Sequence, residues 1–288
     1  MTKQIKIFFI LSSIIFFIEG CRPEPKETPT KGYLKCFSDE SLINVVRDEK
    51  DLFTDLYKNA KVDIEVVKAR EGIAAVLNGD AKMFVSSRNL NAEEKEFVIN
   101  TKSEVRILKF CFDALALIVN ENETMDKLTV DELKELLLSN KRNLKIYIPE
   151  PNSGVYEIIK NEILKGEKPD GVKILNGEGD VVTKIKSGRH AVGIIGLNVL
   201  KNIDGIKILS VGTKDNIIGS YSFYKPLQGY LLDGTYPLTR TAYIFLNEIG
   251  LHVASGFATF LTSSKGQKIV MKNNLCPATV PVKLVQLN

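Results

Sequence analysis

Two periods of hydrophobic positions alternate along this chain. Short apolar or alternating runs of the strand kind are "YLKCF" (33–37), "VDIEVV" (62–67), "MFVSS" (83–87), "LKIYI" (144–148), "VKIL" (172–175), "AVGIIG" (191–196) and "TAYIFL" (241–246). Between them lie stretches with apolar residues three and four apart, the spacing of one helical face. "DESLINVVRDEKDLFTDLY" (39–57) places Leu42, Val45, Val46, Leu52, Phe53 and Leu56 on such a face. The same spacing predicts helices in "EGIAAVLNG" (71–79), ended by Gly79, in "AEEKEFVIN" (92–100), and in "TVDELKELLLS" (129–139), capped by Thr129 with acids in its first turn. Further helices are predicted in "GVYEIIKNEIL" (154–164), "GDVVTKIKSG" (179–188), "VASGFATFLTS" (253–263) and "KGQKIVMKN" (265–273). A long apolar segment, 107–119, separates the third of these helices from the fourth.

Strands in β-α-β order pair in parallel and need crossover helices, so the alternation predicts an α/β fold. Ligands in such sheets bind beyond the strand carboxyl ends, where helix starts converge. Three strand-to-helix turns share a composition: "FSDES" (37–41), "VSSRN" (85–89) and "PNSGV" (151–155). In the last, Asn152 or Ser153 caps the helix and the prolines stop the strand. The same geometry presents free backbone N–H groups to an anion. A serine turn taken alone is accounted for by capping. Three in one chain, one of them carrying Arg88, point to an anion met by helix starts and a guanidinium.

The first residues stand apart from this pattern. Lys3 and Lys6 precede an apolar run, 7–18, and then Ile18-Glu19-Gly20-Cys21. A basic start, a short apolar core and a small residue before the break describe an export signal over 1–20, and the run is short for a membrane span. Cys21 after that small residue resembles the lipobox of bacterial lipoproteins, which implies a lipidated mature N-terminus; cleavage near Gly20 without lipid is the alternative. Residues 21–32 carry prolines and polar residues and read as a tether too polar to bury a core.

Composition removes several classes. The net charge is +4, and no Lys/Arg stripe with interleaved aromatics occurs, so nucleic acid is not an expected partner. Cys36, Cys111 and Cys276 lie far apart without CxxC spacing, which excludes a zinc ribbon and a redox pair but leaves any disulfide unassigned. His190 and His252 lack the spacing of metal ligands. "GEGDVV" (177–182) has no third glycine for a nucleotide fingerprint and is a helix start. No Gly-x-Ser-x-Gly elbow is present, so no catalytic residue, metal or cofactor is expected.

With the signal and the three turns in view, the chain resembles the phosphate-binding lipoproteins of the PstS kind, the substrate-binding component of the phosphate ABC transporter. It is most similar to the divergent branch found in Bacteroidetes. The resemblance is carried by "DES", "VSSRNLNAEE", "LTVDELKELL", "PNSGVYEIIK", "HAVGIIGLNVL", "YPLTRTAYIFL" and "FATFLTSSKGQKIVMKNNLCPATVP", in order along 33–288. It implies the type II periplasmic binding protein fold, two Rossmann-like lobes joined by a double-crossing hinge. Lobe one would comprise 33–113 plus 241–288 and lobe two 114–240, with crossings near 114–120 and 235–240. It further implies a monomeric, non-enzymatic protein, lipid-anchored on the periplasmic face, that takes inorganic phosphate to a transporter permease.

The implied phosphate ligands are Glu40 and Ser41 in the first turn, Ser86, Ser87 and Arg88 in the second, and Asn152, Ser153, Gly154 and Val155 in the third. This sequence departs from better-known members in that third turn, where Pro149, Pro151 and Val155 replace an arginine, an aspartate and a threonine. Arg88 in turn stands where those members carry an aspartate. The proton acceptor that would separate monohydrogen phosphate from sulfate is therefore open among Asp39, Glu40 and Glu71, and Glu71 is taken as the acceptor. Another oxyanion (sulfate, molybdate or a phosphonate) and a phosphate-sensing role beside a receptor are the alternatives.

Overall fold

The computed structural model describes residues 27–139, 144–214 and 219–278. The signal over 1–20, Cys21 and the tether as far as residue 26 lie outside the described residues, as does the end of the chain from 279. Along the chain run β1 (Lys31–Asp39), α1 (Ile43–Leu56), β2 (Asn59–Val67), α2 (Ala69–Asn78), β3 (Met83–Ser86) and α3 (Ala92–Thr101). Then come β4 (Arg106–Asn120), β5 (Lys127–Thr129), α4 (Val130–Ser139), β6 (Lys145–Pro149), α5 (Gly154–Ile158), β7 (Val172–Leu175), α6 (Glu178–Ser187) and β8 (Ala191–Gly196). The last part holds β9 (Ile206–Ile208), β10 (Ser210–Lys214), β11 (Tyr221–Tyr224), α7 (Gln228–Leu232), β12 (Thr239–Leu246), α8 (Val253–Thr262), α9 (Ser264–Lys272) and β13 (Cys276–Pro277).

The main sheet has the order β2-β1-β3-β12-β4-β8-β6-β7, with β13 and β9 paired to β4. Strands β2, β1 and β3 are parallel, as are β8, β6 and β7, in line with the β-α-β reading. The two groups meet on β4. Its first part pairs antiparallel with β12 as far as Ala114 opposite Thr239, and its next residues, from Leu115, pair with β8. The long apolar segment 107–119 is thus one strand shared by both halves, which explains its length and its near-continuous burial from Phe110 onward. At the same level Leu115 N–H donates to Leu238 O, so the return strand enters beside the outgoing one.

Local signals account for most boundaries. Gly79 ends α2 in the left-handed region at φ 83, where its N–H reaches the last carbonyls of the helix. Thr129 and Glu132 form a reciprocal cap on α4, as the acidic first turn leads one to expect. β3 and β8 are buried at every position, so continuous rather than alternating apolar runs mark them as central strands. Two expectations need correction. Leu56, placed on the inner face of α1, is exposed at the last turn, where the helix has run past the sheet. The helix expected over 154–164 keeps α geometry only through Ile158, then widens into a π turn over Ile159–Ile163 that keeps both of those isoleucines in the core. β5 and β9–β11 are additional strands that the apolar pattern does not mark. Cys36, Cys111 and Cys276 are free, buried thiols, and no helix among the described residues is long and apolar enough to cross a membrane.

One core group carries a testable cost. Glu49 of α1 is fully buried, and neither carboxylate oxygen has a partner among the described residues. Burial, with Asp48 nearby, pushes its pKa from 4.5 up to about 9. Between those values the folded chain holds a proton that the unfolded chain has released, so this group lowers stability as pH rises through that window. Glu49→Gln should therefore raise the melting temperature at pH 8 and leave it nearly unchanged at pH 4. Each kcal/mol is worth about 2–4 °C in a chain of this size. A gain of equal size at both pH values would mean that Glu49 does not titrate this way.

Candidate functional site

The three serine turns come together. At the end of β1, Asp39 accepts from Ser41 N–H through Oδ1 (2.9 Å), which caps the single 3-10 turn leading into α1. Its other oxygen, Oδ2, accepts from Ser87 Oγ (2.7 Å), the residue after β3. Gly154, first residue of α5, packs against the same pair. A methyl group on it would collide with Ser87 Oγ and lie 2.9 Å from Asp39 Oδ2. Ser153 caps α5, accepting from Tyr156 N–H (3.1 Å). Asp39, Ser41, Ser87 and Ser153 are all buried, so side chains brought from both groups of strands form one closed polar cluster.

A second seam continues it. Ser41 Oγ donates to Glu178 Oε1 at the start of α6, and Glu178 Oε2 accepts from Gly196 N–H (2.6 Å) at the end of β8. Burial and the adjacent Glu40 push the Glu178 pKa to about 8, against the pull of Arg240. Lys68, just ahead of α2, reaches across to Glu40 Oε1 (2.9 Å), Glu150 Oε1 (3.5 Å) and Asn176 O (2.5 Å). Arg70 N–H donates to Asn152 O, and Val45 N–H to Asn198 Oδ1. The contacts of Ser41 with Glu178, Lys68 with Glu150 and Asn176, Arg70 with Asn152 and Val45 with Asn198 each join the β1–β3 group to the β6–β8 group.

The guanidiniums divide the work differently from expectation. Arg88 is buried, but its fork is taken by Glu94 of α3, Nη1 to Oε2 at 2.7 Å and Nη2 to Oε1 at 2.8 Å. Its Nε is left without a partner among the described residues. The physical reason is local: Glu94 also closes a capping box with Asn91, which holds its carboxylate beside the turn. The arginine not expected from the turns is Arg240 of β12. Its Nε and Nη2 bond Asp113 Oδ2 (2.9 and 2.5 Å), directly across the β4–β12 pairing. Burial pushes the Asp113 carboxyl up while Arg240, a guanidinium that keeps its proton, pulls it down; burial is the larger effect. Arg240 Nη1 and Asp113 Oδ1 remain buried without partners. A methyl on Gly196 would collide with Arg240 Nη2 and meet Ser41, so this arginine abuts the cluster.

The other candidates fall as follows. Glu40 flanks the cluster through Lys68 and accepts from Glu178 N–H (3.4 Å). Ser86 is buried but spends its hydroxyl on the local turn, donating to Arg88 O. The Val155 side chain belongs to the core, leaving only its backbone at the helix start. Glu71 is set apart: it is exposed and caps α2 by accepting from Lys68 N–H. First-turn acids favour that place next to the helix dipole, so the taken acceptor does not join the cluster. Asp39 does.

Asp113, Glu178 and Arg240 are the cluster members that reasoning from turns passes over. A signal for two of them exists: Arg240 is the single charge in 239–246, and Asp113 interrupts a long apolar run. Charges in central strands survive only when paired.

Beside the cluster opens a cavity of about 540 Å³. Its lining includes Ser87, Arg88, Arg240, the acids Glu162 and Asp233, and the apolar Ile158 and Leu231. It borders the polar cluster at Ser87 and Arg240.

The chain is 27% identical to the phosphate-binding protein PstS of Borreliella burgdorferi, over 94% of this chain and 96% of that one. With the phosphate-binding protein PstS of Pseudomonas aeruginosa it shares 21% identity over 96% of this chain and 92% of that protein. Among solved structures, a Clostridium perfringens substrate-binding protein with bound phosphate superposes with a TM-score of 0.70 at 18% identity, covering 86% of this chain and all of that one. An ABC-type phosphate transport receptor from Vibrio cholerae superposes at 0.63 and 15% identity, with 85% of this chain and all of that one covered. These likenesses show the expected two-group α/β fold. Residues 23–265 match the model of the PBP superfamily domain, and the chain belongs to that superfamily.

Proposed function

We propose that this chain is an exported binding protein that captures inorganic phosphate in the cleft between its two halves and delivers it to the permease of an ABC transporter. The observation that carries this reading is Arg240, a buried guanidinium held rigid by Asp113 with its Nη1 group still without a partner among the described residues. Arg240 is among the residues that line a cavity at the junction of β3, β12 and α5. A fixed donor already stripped of water binds an oxyanion without the cost of being ordered. The relatives named for phosphate binding support the choice of anion.

In this reading the lobes are 33–113 plus 241–288 and 114–240, and the passage of β4 from β12 to β8 at residues 114–115 supports a hinge there. Asp39, Ser41, Ser87, Ser153 and Gly154 form the faces that close on each other. Asp39 is the proton acceptor, in place of Glu71. A carboxylate there takes the O–H of monohydrogen phosphate and confronts sulfate with two acceptors and no proton between them. The protein binds and releases without making or breaking a bond. Cys21 carries a lipid that keeps the single chain at the periplasmic face of a membrane.

The test is calorimetric titration of the chain, first stripped of carried-over anion by partial unfolding. Phosphate should bind at least about a hundredfold more tightly than sulfate, since a site built around one hydrogen bond rejects a ligand lacking it by large factors. Equal binding would remove Asp39 as acceptor. Silence toward both would remove the proposal.

A further inference from the structure

Ile249 is 92% exposed and Leu251 68% exposed, two residues apart in the turn between β12 and α8. A single exposed aliphatic side chain needs no account. These two stand beside an apolar groove of about 640 Å³ that Leu251 shares with Pro29, Phe53, Tyr57 and Phe260. Lys265 lines the same groove, and Arg106 Nη2 donates to Ser255 Oγ in the first turn of α8 (3.1 Å). Of the acids nearby, Glu27 faces Lys82 (3.8 Å), and Glu248 Oε2 accepts from the N–H groups of His252 and Ser255. An apolar tip with cations around it and acids turned to local partners suits an anionic lipid surface.

The chain leaves the described fold at the same spot. Lys82, which faces Glu27, accepts from Asn247 N–H through its carbonyl (2.8 Å), two residues before Ile249. Pro29 packs on α8 so closely that a methyl on Gly256 would collide with its carbonyl oxygen. Cys21 precedes Glu27 by six residues, so its α-carbon stays within about 22 Å of Glu27 at the greatest reach of a chain. We infer that the turn carrying Ile249 and Leu251 seats the protein on a membrane, both side chains entering the lipid layer that holds Cys21. This surface rests on the reading of Cys21 as lipidated. β1 starts beside the groove at Lys31 and ends in the polar cluster at Asp39, nine residues on. At about 3.3 Å per residue, seating by this turn holds the anion cluster about 26 Å of strand away from the lipid.

The sequence has no tryptophan, so one introduced indole reports alone. Leu251→Trp is compared with Ile174→Trp, a control on β7 where the natural side chain is 48% exposed. Both are made in the full lipidated chain and placed on vesicles of phosphatidylethanolamine and phosphatidylglycerol, with and without brominated acyl chains. Emission of Leu251→Trp should shift to the blue and fall by about half or more with brominated lipid, and that of Ile174→Trp by less than about a tenth. Adding Ile249→Asp to Leu251→Trp should cut the quenching at least about threefold, because a charge at the tip opposes entry into lipid. If the chain floats with the vesicles and neither tryptophan is quenched, the seating surface fails and the lipid anchor stands. Equal quenching of the two overturns the surface, since the chain then has no preferred face toward the lipid. A blue shift of Leu251→Trp without quenching means that protein, such as a second copy, covers the turn, and overturns the choice of lipid. A chain that does not float removes the lipid on Cys21 and this surface with it.

Discussion

Replacing Arg240 by methionine is expected to destabilise the fold by about 3–5 kcal/mol, the cost of breaking a buried ion pair by taking one partner away. Asp113 is fully buried, and Arg240 supplies both of the hydrogen bonds that its Oδ2 receives. Without the guanidinium, the carboxyl must take a proton or face a hydrophobic interior as an anion. Burial already pushes its pKa up with Arg240 in place, so the variant should be least damaged at acid pH and lose stability as pH rises toward neutral. Anion affinity should fall as well, by roughly ten- to a hundredfold, the scale of one hydrogen bond to a charged group.

Arg240→Met combined with Asp113→Leu separates the two effects. The double variant should regain most of the stability, because two apolar side chains replace an ion pair, and still bind poorly. Denaturant melts and calorimetry read the two quantities independently. Recovery of binding in the double variant would remove Arg240 from the anion site.

Gly154→Ala is expected to abolish tight phosphate binding while leaving each half folded. The added methyl would run into Ser87 Oγ and crowd Asp39 Oδ2, so the start of α5 could no longer seat against the turn after β3. Gly154 has no unusual backbone angle, and alanine favours helix, so the fold itself has no reason to suffer. A loss of at least about a hundredfold in affinity is expected if closing must be bought back against such overpacking, at about 1–3 kcal/mol together with the bonds that closure makes. Gly179→Ala is the matched control. It also lies in the first turn of a helix, no atom stands within 4 Å of the added carbon, and it should bind as the natural protein does. Unchanged affinity in Gly154→Ala would show that this contact is no part of the bound state.

These expectations rest on contacts of unequal visibility in the sequence. The strand and helix order was readable because each element carries its own period, as in the wholly apolar "AVGIIG" of β8 or the reciprocal cap at Thr129 and Glu132. The convergence of the three serine turns was also readable, since parallel strands bring their carboxyl ends to one edge. Ser87 bonded to Asp39, with Gly154 against both, is that convergence in atoms. The choice of partner for each charge was not. Asp113 and Arg240 lie 127 residues apart, and only the antiparallel register of β4 and β12 sets them opposite each other. Arg88 looked available from its turn, yet a capping glutamate six residues on claims its fork. Glu71 is exposed at its helix start, a fact of orientation that spacing along the chain does not carry.

The most direct measurement is a crystal structure of the chain grown with phosphate after carried-over anion has been stripped. Density for one tetrahedral anion is expected in the cleft, within hydrogen-bond distance of Arg240 Nη1 and beside Ser87 and Asp39, with the two halves closed around it. An anion bound away from Arg240, or a cleft that stays empty at millimolar phosphate, would contradict the assignment of this cluster as the binding site.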